Sequence, residues 1–148
     1  MKKQKGFTLI EVLVVIGIIA ILAAVVLIAI NPSRQFRQAR DTQRVTNLNA
    51  MLSAVGQYVA DNKGAIPGNI TSNVQNIKTG GADICSQLVP TYISALPVDP
   101  NFNSGVSVAD CSASYDTGYQ IGTTTGNRIV VSAMLEGTTT PYLYTITR

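Results

Sequence analysis

The chain has 148 residues, a formal net charge of +3, 46% hydrophobic residues and neither histidine nor tryptophan. Lys2, Lys3 and Lys5 hold the whole excess, because without them eight basic side chains face eight acidic ones. A neutral body argues against a general nucleic-acid binder, which carries surplus Lys and Arg on the domain itself, and the lack of histidine argues against the commonest general base.

The leader MKKQKG, residues 1–6, is short and cationic. Behind it, Val12 to Ile30 is a run of 19 residues with no charged side chain, long enough for a membrane-spanning helix. The run is too long for the apolar core of an ordinary cleaved secretory signal. An ordinary anchor, in turn, has no use for Glu11, because an acid inside the bilayer costs up to about 3 kcal/mol on insertion scales. With a helix starting at Phe7, Glu11 lies about 6 Å below that start. A cut between Gly6 and Phe7 would supply a partner, since it leaves an α-amine on Phe7. That cation could meet the carboxylate in the same chain or on a staggered neighbour. Such a pair sets register: one stagger satisfies both charges and others leave a buried charge alone.

The stretch KGFTLIEVLVVIGIIAIL resembles the N-terminal signature of type IV pilins and type II secretion pseudopilins, through Lys5, Gly6, Phe7, Thr8, Leu9, Ile10 and Glu11. The resemblance implies a prepilin cut by a membrane peptidase between Gly6 and Phe7, N-methylated on Phe7, and assembled with Glu11 against the Phe7 amine of an adjacent subunit. It implies no enzymatic activity. The implied partners are copies of itself and other pilins, the prepilin peptidase, a membrane assembly platform, and membrane lipid before assembly. The implied locations are a single pass through the cytoplasmic membrane, then an extracellular or cell-surface filament, with a short pseudopilus confined to the envelope as the alternative. Orientation with the N-terminus inside rests on this resemblance, because three lysines precede the span and four arginines follow it.

Pro32 ends the apolar segment, residues 7–31, and either kinks the helix or restarts one capped by Asn31 or Ser33. Residues 32–63 read as an amphipathic helix, with Val45, Leu48, Leu52, Val55 and Val59 in a stripe and Lys63-Gly64 as its stop. A continuous element from Phe7 to Lys63 would reach about 85 Å. Arg34, Arg37, Arg40 and Arg44 recur at helical spacing. They form a solvated or intersubunit face with Asp41 interleaved, ahead of a contact with lipid headgroups or, as a DNA-uptake pilin needs, with DNA.

Residues 64–148 read as a globular head rich in Gly, Pro, Asn and Ser. A short helix is expected near Ser86–Val89, and strands at 115–123, 127–135 and 142–147. The fold class is therefore α+β, a long N-terminal helix packed on a small antiparallel sheet, as the resemblance also implies. Cys85 and Cys111 are either a disulfide or two buried thiols. No CxxC-type spacing is present, which favours a bond closing a loop of about 27 residues. Asp99, Asn101, Asn103 and Asp110 occupy positions of an EF-hand-like count, so calcium is a candidate ligand beside an ordinary Asx turn. Otherwise the sequence calls for no cofactor. It offers no metal cluster, no phosphate loop and no activated nucleophile.

Overall fold

The computed structural model describes residues 6–137 and 139–148. The leader, except Gly6, lies outside the described residues. The chain divides into two compact units, Met1–Phe36 and Arg37–Arg148.

In the first unit, α1 runs from Leu9 to Ala29. Thr8 holds an extended conformation and caps it, its hydroxyl accepting the Glu11 N–H at 3.3 Å. The helix thus starts two residues after Phe7, and Glu11 sits in its first turn. Beyond Glu11, Leu9–Ile28 is apolar all round, with a mean hydropathy of 3.1 and no residue buried among the described residues. A helix without a polar face has no solvated side to present, so its burial must come from lipid or from other helices. Twenty residues also give about 30 Å, the thickness of the hydrocarbon layer.

Ile30 leaves the helical region (φ −94°, ψ 112°) while its N–H still reaches the Val26 carbonyl. The next helix, α2, spans Pro32–Asp61. Asn31 is its cap: its side-chain oxygen accepts from the Arg34 N–H at 3.3 Å and from the Ser33 hydroxyl at 2.7 Å. Pro32 is the first helical residue, where its missing N–H costs nothing. The proline therefore starts a second helix and does not bend a single one.

In the second unit, α2 buries Arg44, Leu48, Met51, Leu52, Ala54 and Val55. It stops where Lys63 and Gly64 turn left-handed (φ 56° and 90°) and the Gly64 N–H returns to the Val59 carbonyl. The antiparallel sheet has the order β1-β2-β3-β4: Gln75–Lys78, Asp116–Thr123, Ile129–Leu135 and Tyr142–Thr147. Strand β1 is too short and polar to be legible in the sequence. A short helix, α3 (Cys85–Leu88), follows it. Ile77, Tyr119, Ile121, Val131 and Ala133 point inward and join Leu48, Met51, Leu52, Val55, Ile84, Leu88 and Leu96 in one core. Much of α2 is thus part of the head's core, and the boundary between units falls inside this helix, after Phe36.

The candidate assembly segment and the ionic clamp of the head

Gly6 and Phe7 are exposed and non-helical, and a Cβ built on Gly6 would meet nothing within 4 Å. A peptide bond in exposed, non-helical backbone is what a peptidase can draw into a cleft. Phe7 is 83% exposed. Glu11 is exposed too, at the third position of α1, where the positive end of the helix dipole favours an acid. Thr8-x-x-Glu11 has the spacing of a capping box, a signal the sequence reading passed over. Glu11 therefore has a local role in starting the helix as well as a carboxylate that no other segment covers among the described residues.

The arginine stripe divides. Arg44 is buried, and its guanidinium grips Asp99 with Nε to Oδ2 at 2.6 Å and Nη2 to Oδ1 at 2.9 Å. Its Nη1 reaches Asp41 at 2.8 Å and Glu136 at 3.0 Å. Arg40 forks onto Glu136 at 2.7 and 2.6 Å, and Asn101 donates to the same carboxylate at 2.8 Å. Asp41 accepts the backbone N–H groups of Glu136 and Gly137. Asp99, Asn101 and Glu136 come from two loops, one before β2 and one after β3, so the cluster clamps both to α2. Arg34 is exposed and Arg37 half-buried, and neither takes part in this cluster.

The electrostatics follow from the contacts. Hydrogen bonds from Arg40, then from Arg44 and Asn101, push Glu136 down to about 2. Arg44 is raised, chiefly by Asp99, and Arg40 is raised by Glu136. These groups hold their charges through any ordinary pH. The solvated-face reading of the stripe is thus corrected for Arg40 and Arg44. Periodicity cannot tell a solvated arginine from one whose carboxylates arrive from loops 55 and 92 residues away.

The calcium reading meets the same correction. Both Asp99 oxygens are committed to Arg44, so a cation occupies that position already, and it is a guanidinium. The Asn101 N–H bonds Asp99, and its side chain bonds Glu136. Asn103 lies in a left-handed turn (φ 44°). Asp110 accepts from the N–H and hydroxyl of Ser112, an Asx turn of its own. Gly118 allows the arrangement: at φ 75°, a Cβ there would lie 3.1 Å from that of Asp99 and 3.2 Å from that of Phe102.

Cys85 and Cys111 are joined by a disulfide, with Cα atoms 5.5 Å apart. It ties the start of α3 to the loop between the Leu96–Val108 bridge and β2. Tyr115 supports α3 from below, its hydroxyl donating to Asp83 at 2.8 Å and accepting from the Ile84 and Cys85 N–H groups.

Residues 1–27 match the family described as the prokaryotic N-terminal methylation motif. A fimbrial protein of Neisseria meningitidis serogroup B (strain ATCC BAA-335 / MC58) is 35% identical over 113 residues, 75% of this chain. The chain spans 57% of the length of that relative. No solved structure matches it significantly. A methylation motif at the start of an apolar helix, an α+β head and a fimbrial likeness together support a kinship with the type IV pilin family.

Proposed function

We propose that the chain is a prepilin, cut between Gly6 and Phe7, N-methylated on Phe7, and polymerised through α1 into a pilus or a related filament. One observation carries this reading: the methylation motif covers residues 1–27, over a helix that is apolar beyond Glu11 and of which nothing is buried among the described residues. Such a helix is stable in lipid first and in a bundle of like helices afterwards. Glu11 then sets the stagger, because only one offset brings its carboxylate to the α-amine of a neighbouring Phe7. The subunit passes from the cytoplasmic membrane to the filament, with the prepilin peptidase and a membrane assembly platform as partners.

The fimbrial likeness favours a surface pilus over a secretion pseudopilus. A DNA-uptake pilin is less favoured, because Arg40 and Arg44 are spent inside the head. Intact mass and N-terminal sequencing of the protein from its native host test the proposal. A chain starting at N-methylated Phe7 is expected. A chain still starting at Met1, in cells with an active prepilin peptidase, would overturn it. Electron microscopy of shear-released material then separates surface pili from an envelope-bound filament.

A further inference from the structure

Within the arginine stripe, Arg40 and Arg44 belong to the clamp. The side chains of Arg34 and Arg37 have no hydrogen-bonding or ion-pair partner among the described residues, although the stripe continues directly into a cluster of three carboxylates. They lie one helical turn apart, and Phe36, in the same turn, is 66% exposed. Arg34 comes six residues after Ile28, the end of the twenty-residue apolar stretch. Two free guanidiniums and an exposed aromatic ring at the end of a span are what the headgroup layer takes up: cations for phosphate, an aromatic for the boundary.

We propose that Arg34, Phe36 and Arg37 form a headgroup collar that binds anionic phospholipid at the outer surface of the membrane before the subunit enters a filament. The collar rests on the reading of α1 as a membrane span. It fixes the depth of the helix, and so the depth of Glu11 at the opposite end, by opposing any slide of α1 through the bilayer. Arg40 is already neutralised by Glu136, so the collar ends after Arg37.

The test uses the full chain reconstituted in phosphatidylcholine vesicles containing 30 mol% phosphatidylglycerol. Spin-labelled phosphatidylglycerol and phosphatidylcholine report which lipid the protein retains. The double variant Arg34→Gln, Arg37→Gln is expected to lose about fivefold of the preference for phosphatidylglycerol per arginine, close to the ~1 kcal/mol a basic side chain gains at an anionic surface. The variant Arg34→Lys, Arg37→Lys should keep most of it, and Arg128→Gln all of it. High salt should reduce the preference of the parent to that of the glutamine variant. The leader lysines are present in every variant and cancel from the comparison. Equal preference in parent and glutamine variant overturns the collar. So does an unchanged lipid preference with a loss of salt-sensitive DNA retention, which would assign the two arginines to nucleic acid. Extraction of the parent from the vesicles by alkaline carbonate would overturn the span itself, an outcome distinct from a span without a collar.

Discussion

Arg44 and Asp99 meet through two buried bonds of 2.6 and 2.9 Å, across 55 residues of chain. The pair is costly to assemble and more costly to break, because a buried guanidinium left without its carboxylate retains its charge. Asp99→Ala is therefore expected to destabilise the head by about 3 kcal/mol, with Asp41 and Glu136 moderating the loss. Thermal unfolding followed by circular dichroism should show a midpoint lower by about 12 °C. A shift of a degree or two would mean that the clamp contributes specificity but little stability.

Glu136 gives the head its acid limit. Its folded-state value lies near 2, below its ordinary 4.5, so the unfolded chain binds the proton more readily. The stability it contributes is complete above about pH 4.5 and drains away as pH falls toward 2. Unfolding midpoints should be flat from pH 8 to 5 and fall below that. Glu136→Gln should lower the plateau and flatten the acid limb. An acid limb of unchanged steepness would place the titrating group elsewhere.

The disulfide holds a loop whose own packing is thin, with Cys111 only partly buried and Cys85 fully buried. Replacing both cysteines by serine is expected to cost about 3 kcal/mol through the freed unfolded chain, plus the burial of a hydroxyl at position 85. Denaturant titrations of the parent with and without reductant should reproduce most of that difference. Equal midpoints in the two conditions would show that the loop is held by the Leu96–Val108 bridge and the clamp.

Gly118→Ala combines two penalties, a left-handed φ of 75° and a Cβ 3.1 Å from Asp99. Its cost is expected to be about 2 kcal/mol, and it should loosen the Arg44–Asp99 contact. Hydrogen exchange of the 99–105 amides should accelerate in this variant, while exchange in β3 stays unchanged.

At the other end of the chain, Glu11→Val should leave membrane insertion and processing intact and prevent efficient incorporation into filaments. Thr8→Val removes only the cap of α1, worth about 1 kcal/mol, and should reduce assembly far less. Comparable assembly defects in the two variants would reduce Glu11 to a helix-starting residue. Cell fractionation and quantification of sheared filaments read both steps.

What local chemistry dictates was legible in the sequence. An apolar run of fixed length, an acid near its start, a helix interruption at Pro32 and strands of β-branched residues act within a few neighbours, so their pattern specifies them. The Leu48, Leu52, Val55 stripe marked the buried face of α2 for the same reason. Only the tertiary structure decided which arginines are free. Arg34, Arg37, Arg40 and Arg44 are alike in spacing and type. The loops that bring Asp99 and Glu136 to two of them are distant in sequence, and Gly118 must give way before they can close. Charge pairing across such distances depends on where the backbone goes, and that is settled by the packing of the whole head.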